Sequence, residues 1–155
     1  MDIRIVRGGA TAPTEMASYD AALAGANVHN YNLTHVSSVI PADASVEFVD
    51  AAPDLGPVGT GLTVVEARAM SSERPVSAAL AWARSEEGPG LFYEAAGEGS
   101  TDRARERAER GLEAGMALRE WTFRDPEAVT AHAEPDGGYA TAVVLAVYGR
   151  GRPIR

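Results

Sequence analysis

The chain has 155 residues, of which 45% are hydrophobic and 23% are charged, values typical of one compact globular domain. It contains no cysteine, which excludes disulfides, zinc–thiolate sites and cysteine nucleophiles. The longest apolar run, TAVVLAVYG, is too short to span a bilayer and MDIRIVRGG lacks the pattern of a secretory signal, so we expect a cytoplasmic protein with no membrane partner.

The charged residues are unusual in type and in balance. All 14 basic residues are Arg, and the 22 acidic residues outnumber them, which gives a formal net charge of −8. A surface of this sign repels phosphate, so we expect no nucleic-acid partner. A chain without lysine and with an excess of acid is typical of proteins soluble in strong brine. A GC-rich genome would also replace Lys by Arg, but it does not demand the acidity, so we predict a halophilic protein.

The first part of the chain predicts strands, one helix and a long connection. DIRIVRG alternates as a short strand does, and Thr14 can cap a helix through EMASYDAALAG that ends near Gly25. YNLTHVSSVI predicts a strand that bends at its two serines. Residues 41–61 are rich in Pro, Asp, Ala and Gly, hold one brief strand at VEFV, and are predicted to form a surface connection.

The rest of the chain predicts further strands and the strongest helix. LTVVEARAM, PVSAALAWARS and GLFYEAAG are strands separated by turns at ERP and EEGPG. Ser100 and Thr101 open the helix STDRARERAERGLEAGMALREW, whose apolar residues recur every three or four positions. EAVTAHAE and YATAVVLAVYG, joined by a PDGG turn, close the fold before a loose tail, RGRPIR. The pattern predicts a single α+β domain whose Ala-rich strands can pack two sheets closely.

Few residue types stand out as candidates for chemistry. The three histidines, His29, His35 and His132, have no spacing typical of a metal site, so no metal is expected. Asp20 lies at helical spacing from Met16, Leu23 and Ala24, which puts it on the apolar side of the first helix, where a carboxylate needs a cation or donors. A partly exposed position at the border of that helix, or a bond to a nearby backbone amide, is the open alternative.

A strand glutamate and a pair of serines complete the candidates. Glu94 stands among apolar residues in GLFYEAAG, where burial would favour its protonated form, although a solvent-facing position fits equally well. The pair Ser37–Ser38 before VIP is most often only a turn. Alternatively, a strained backbone presses the Ser38 hydroxyl against the Ser37 carbonyl, and an N→O acyl shift, elimination and hydrolysis break the chain and leave a pyruvoyl group. Asn32 could curl back to polarise that carbonyl.

The ordered set SYDAALAGANVHNYNLTHVSSVIP, then GLFYEAAGEGS opening a helix, then ALREW, resembles the pyruvoyl-dependent arginine decarboxylases of archaea and some bacteria. The resemblance covers roughly Gly8 to Tyr148. It implies a four-layer αββα sandwich assembled as a homotrimer, with active sites between neighbouring subunits. The chain departs from the family at IPAD, where the usual pattern has two prolines, and over residues 41–61.

For the site, the resemblance implies that the chain splits into residues 1–37 and 38–155, with Ser37 as a new C-terminus and Ser38 as the pyruvoyl group. Asn32 matches the family's processing residue, Asp20 its acidic residue for the substrate guanidinium, and Glu94 its proposed proton donor. The implied reaction converts L-arginine to agmatine and CO2 through a Schiff base to the pyruvoyl ketone, as in polyamine biosynthesis. Neither pyridoxal phosphate nor metal is expected, and a chain without lysine cannot form a Schiff-base lysine.

Two alternatives stay open. One is a related pyruvoyl decarboxylase with another amino-acid substrate, which arginine turnover unchanged by Asp20→Asn would favour. The other is an unprocessed structural homologue without chemistry, which would persist as a single intact chain.

Overall fold

The computed structural model describes residues 1–154, which form nine strands and two helices. This is the α+β content predicted from the sequence. In chain order the elements are β1 (Asp2–Ala12), α1 (Glu15–Gly25), β2 (Asn32–His35), β3 (Val39–Ile40), β4 (Ser45–Asp50), β5 (Gly61–Ser71), β6 (Val76–Arg84), β7 (Gly90–Glu98), α2 (Thr101–Met116), β8 (Glu127–Ala133) and β9 (Tyr139–Arg152). Neither helix is long and apolar enough to cross a membrane.

The strands form two sheets. The first has five strands in the order β2-β5-β9-β1-β4, and the second has four in the order β3-β7-β6-β8. β1 pairs with β4, and β2 with β5, in parallel, whereas the other pairs are antiparallel. As a result β2 and β3, which follow one another in sequence, lie at the edges of different sheets.

Three apolar clusters hold these layers together. The largest lies between the sheets and half of its buried residues are alanine, which lets the two sheets approach closely, as the Ala-rich strands predict. Alternate residues of β9 face α1 on the other side of the first sheet. A third cluster joins α2 to β6 and β7. This packing is compatible with the sandwich that the resemblance implies.

Both helices begin where the sequence predicts. The Thr14 hydroxyl accepts a hydrogen bond from the Ala17 amide at 3.2 Å, and the Ser100 hydroxyl accepts one from the Arg103 amide at the same distance. Each cap satisfies an amide that the first helical turn leaves without a partner. In α1 the Ser18 hydroxyl also bonds the Thr141 hydroxyl at 2.7 Å, which ties the buried face of the helix to β9.

The end of α2 differs from the prediction. The helix stops at Met116 instead of continuing to Trp121. The Arg119 guanidinium donates to the Gly115 carbonyl at 2.9 Å, and the Trp121 ring turns to pack on Phe123 with 5.7 Å between ring centroids. These contacts replace the last helical turn, because carbonyls at a helix end accept side-chain donors readily.

Two predicted irregular segments are more ordered than expected. The connection over residues 41–61 contains the strand predicted at VEFV, which is β4 and pairs with β1. The connection also buries Leu55 completely, so it is not only a surface excursion. The tail was predicted to be loose, but β9 continues to Arg152, which pairs with Gly61 at the start of β5. Arg155 lies outside the described residues.

Candidate active site

The pair Ser37–Ser38 lies in the connection between β2 and β3, where the chain crosses from the first sheet to the second. On one side of the pair, the Val36 amide donates to the Val64 carbonyl of β5 at 3.0 Å. On the other side, the Ser38 carbonyl accepts a hydrogen bond from the Phe92 amide of β7 at 2.7 Å. The predicted bend at the serines is therefore a change of sheet, and the Ser37–Ser38 peptide bond is held from both ends.

The residues after the serines are also fixed. The Tyr148 hydroxyl donates to the Val39 carbonyl at 3.0 Å, and its ring meets Phe92 edge-on with 6.2 Å between centroids. Burial raises the pKa of Tyr148 to about 12, so its hydroxyl stays protonated as a donor at neutral pH. Ser38 is partly buried and Ser37 is exposed. Sequence reasoning did not identify Tyr148, because its partner lies 109 residues away.

Glu94 lies on β7 close to this junction. It follows Phe92 by two positions, which places the two Cα atoms about 7 Å apart on one face of the strand. Phe92 belongs to the cluster between the sheets, whereas Tyr93 packs towards α2. Glu94 therefore points to the side of β7 that faces the first sheet, and it is exposed there, beyond the residues of β7 that pair with β3. The apolar burial that was one possibility for Glu94 is not found in the single chain.

Asn32 does not curl back towards the serines. Its side-chain amide donates to the Gly59 carbonyl at 2.9 Å. Asn32 begins β2 and His35 ends it, so about 10 Å of extended strand separates them. The structure thus places Asn32 at the far end of β2 from Ser37, and its role in processing stays a prediction.

Asp20 is exposed on α1, so of the two predicted possibilities the structure excludes a place on the apolar side and favours an exposed position. The buried residues of α1 are Ser18, Ala22 and Leu23. The spacing misled because two of the three residues that defined the expected face, Met16 and Ala24, are themselves exposed, and only Leu23 is buried. Asp20 makes no salt bridge within residues 1–154, which leaves its carboxylate open to a cationic ligand.

A second group of polar residues, which sequence reasoning missed, joins α1 and β2 to β5. The Glu66 side chain is only 3% exposed, yet its carboxylate accepts the Tyr19 hydroxyl and lies against Nε2 of His35, both at 2.8 Å. Arg68 lies 4.6 Å from the centre of the Tyr19 ring. Burial, followed by the Glu66 carboxylate, raises the pKa of Tyr19 far above its ordinary value. We call Tyr19, Glu66 and His35 the Glu66 cluster.

Two residues of the Glu66 cluster lie close in sequence to the candidate residues Asp20 and Ser37. Tyr19 precedes Asp20 on α1, and His35 lies two residues before Ser37. A buried glutamate in the apolar strand LTVVEARAM was the one available signal, because such a residue needs partners. Three or more metal-ligating side chains do not gather anywhere in residues 1–154, and the Glu66 cluster contains only one His and one Glu.

Comparison with known proteins identifies the family. The family model described as pyruvoyl-dependent arginine decarboxylase matches residues 2–153. A protein of that name from Halobacterium salinarum is 55% identical over 154 residues, covering 98% of this chain and 96% of the relative. Its namesake from Pyrococcus abyssi is 34% identical over 86% of this chain and 85% of the relative.

A third relative of the same name, from Methanopyrus kandleri, is 33% identical over 93% of both chains. The similarity to a protein from Halobacterium salinarum agrees with the halophilic character predicted from the composition. The match extends over nearly the whole chain, including the junction between the two sheets. The chain therefore belongs to the pyruvoyl-dependent arginine decarboxylase family.

Proposed function

We propose that this chain decarboxylates L-arginine to agmatine and CO2 with a pyruvoyl group made from its own Ser38. The observation that carries the proposal is the Ser37–Ser38 junction, which crosses between two sheets and is anchored on each side by a backbone hydrogen bond. The family supports the reaction and the substrate, since several relatives carry the name of an arginine decarboxylase.

The pair Ser37–Ser38 contains the two groups from which a pyruvoyl group is made, a hydroxyl and the carbonyl that precedes it. The Ser38 hydroxyl attacks the Ser37 carbonyl carbon, and the peptide bond becomes an ester with a free amine on residue 38. Loss of the α-proton of residue 38 breaks the ester C–O bond and releases Ser37 as a carboxylate. Water then replaces the amine, which leaves as ammonia. The products are residues 1–37 and a pyruvoyl-headed chain that continues to residue 155.

The pyruvoyl group supplies a ketone that condenses with the substrate amine and takes up the electrons released when CO2 leaves. We propose that Glu94 holds the proton that replaces CO2 at the substrate α-carbon, because it lies about 7 Å along β7 from the residue that contacts Ser38. Its position at the open edge of β7 leaves room for a substrate beside the junction.

Asp20 is proposed to bind the substrate guanidinium. A carboxylate and a guanidinium meet through two parallel hydrogen bonds, a geometry that a lysine ammonium does not offer. Asp20 is exposed and has no salt bridge within residues 1–154, which supports a role towards a ligand. The Glu66 cluster fixes the helix turn that carries it, through Tyr19.

We further propose a four-layer αββα sandwich that assembles as a homotrimer around these residues. Val36 and Val39 flank the serines and are 42% and 47% exposed, so apolar surface is available for a neighbouring subunit at the junction. β5 beyond Val64 and β7 beyond Leu91 also present open edges there. A neighbour placed at this edge would surround Glu94 and enclose the substrate.

An assay of arginine decarboxylation with one test substitution and one control substitution tests the proposal. CO2 release from L-arginine is compared for the purified chain, Asp20→Asn, and Glu15→Gln, a matched loss of one exposed charge on the same helix. We expect Asp20→Asn to lower kcat/KM by about 10- to 100-fold, the value of one or two hydrogen bonds to a charged group. Glu15→Gln should change it less than about twofold.

The outcome distinguishes the candidate functions. Release of CO2 from another amino acid in preference to arginine would replace the substrate. No release from any amino acid by a correctly folded chain would refute the enzymatic role.

A further inference from the structure

The carbonyl of Ser38 has one hydrogen-bond donor whose position is unusually well fixed. The Phe92 amide donates to it at 2.7 Å, and Phe92 is fully buried. β7 pairs with β6 at this point, where Phe92 faces Trp82 in the register. The Phe92 ring lies 6.2 Å from Trp82 and 6.2 Å from Tyr148, centre to centre. The donor is therefore part of the sheet core rather than of the exposed connection.

The accepting oxygen lies next to the carbon at which the chemistry occurs. In chain scission the α-proton of residue 38 must leave to a base, and its electron pair spreads onto the carbonyl oxygen of the same residue. The electron pair then forms the double bond to Cβ as the ester C–O bond breaks and Ser37 departs as a carboxylate. The same oxygen survives scission, because it remains in the amide that joins residue 38 to Val39.

We propose that the backbone N–H of Phe92 is a catalytic donor that stabilises negative charge on the carbonyl oxygen of residue 38, both in chain scission and in the decarboxylation that follows. The second half of this inference rests on the proposed function. In both reactions electrons are released at a carbon conjugated to this carbonyl, so one fixed donor serves both.

The position of the donor favours this role over that of a strand tether alone. A donor held by the sheet needs no reorganisation when charge develops on the oxygen that it contacts. Removal of one donor of this kind from an enzyme lowers kcat by about 10²- to 10³-fold. A hydrogen bond that only joins two strands would affect folding instead, and both reactions would lose little.

Ester substitution in the full-length chain tests the inference, since it replaces one N–H by oxygen and keeps the side chain. Phe92 is replaced by phenyllactic acid, and as a control Ala52 is replaced by lactic acid. The control removes the hydrogen bond from the Ala52 amide to the Ala26 carbonyl, which is 2.9 Å long, joins two buried residues and lies outside the junction. Melting curves of both esters report how much each weakens the fold.

We expect the ester at Phe92 to slow scission by about 100-fold. After scission is complete, kcat for arginine should fall by a similar factor with little change in KM. The infrared stretch of a ¹³C-labelled carbonyl at residue 38 should move to higher frequency, because it has lost a hydrogen bond. The ester at Ala52 should leave this stretch in place and change both rates less than about threefold.

The inference is overturned if the ester at Phe92 changes scission and kcat less than threefold, or if the two esters slow them equally. In those cases the unmodified chain still splits and releases CO2, so the proposed function stands. An unmodified chain that does neither overturns the proposed function, and the inference with it.

Discussion

Replacing Tyr19 by Phe removes one hydrogen bond from the buried Glu66 carboxylate and leaves the aromatic ring in place. The bond is 2.8 Å long, the Glu66 side chain is only 3% exposed, and its other oxygen already has His35 as partner. No cavity is created, and Arg68 can still lie against the ring. The loss is therefore that of one hydrogen bond to a charged group, about 1.5–3 kcal/mol in the free energy of unfolding.

This prediction is measured by urea unfolding in the uncleaved Ser38→Ala background at one protein concentration, so that a single covalent chain unfolds. For a chain of this length the loss corresponds to a fall in Tm of about 3–12 °C. Tyr139→Phe is the matched control, because Tyr139 is also half-buried but its hydroxyl makes no hydrogen bond within residues 1–154. It should change the free energy by less than about 0.5 kcal/mol.

A Tyr19→Phe chain no less stable than the control would refute the view that the Glu66 cluster ties α1 and β2 to β5. A double substitution with Glu66→Gln adds a second check. If the two residues interact directly, the losses of the single variants should not add.

Three further predictions concern stability. Gly115→Ala should destabilise the fold by about 1–2 kcal/mol in thermal unfolding, because a Cβ there would lie 2.5 Å from the Tyr93 ring and this clash outweighs the better helix propensity of Ala. Stability should fall as pH rises from about 10 to 12. The folded chain raises the pKa values of Tyr148 and Tyr19, so these hydroxyls lose their protons at lower pH in the unfolded chain than in the folded one, which favours unfolding. Tm should rise when salt is increased to molar concentration, because salt screens repulsion within a chain of net charge −8.

Each of these has a result that would contradict it. A Gly115→Ala chain at least as stable as the parent would show that the Tyr93 ring moves aside freely. An alkaline unfolding curve unchanged by Tyr19→Phe and Tyr148→Phe would rule out both tyrosines as its cause. A Tm indifferent to salt would remove the halophilic interpretation of the composition.

Local sequence signals predicted the helices and strands well. Thr14 and Ser100 are caps whose hydroxyls need only an amide three residues ahead, so their bonds can be anticipated from the sequence. The face of α1 could not be anticipated as reliably. Its apolar and polar residues are poorly separated, and Met16, one of the three residues that set the expected face, lies in the exposed first turn.

The arrangement around Ser38 depends on pairings between distant parts of the chain. The Phe92 bond to Ser38 joins β7 to the connection that precedes β3, and Glu66 meets Tyr19 across 47 residues. No local periodicity encodes which edge strand pairs with which neighbour, so the change of sheet at the serines was foreseen only as a bend. The resemblance to the family supplied the candidate roles that local patterns could not.

The intact mass of the purified chain tests the central claim most directly. The account predicts two polypeptides that divide between Ser37 and Ser38, the larger lighter than a serine-headed chain by one ammonia. Ser38→Ala should give one undivided species, whereas Ser37→Ala should still divide because the attacking hydroxyl remains. An undivided parent chain after prolonged incubation in high salt, or a larger fragment that begins with an ordinary serine, would contradict the formation of a pyruvoyl group.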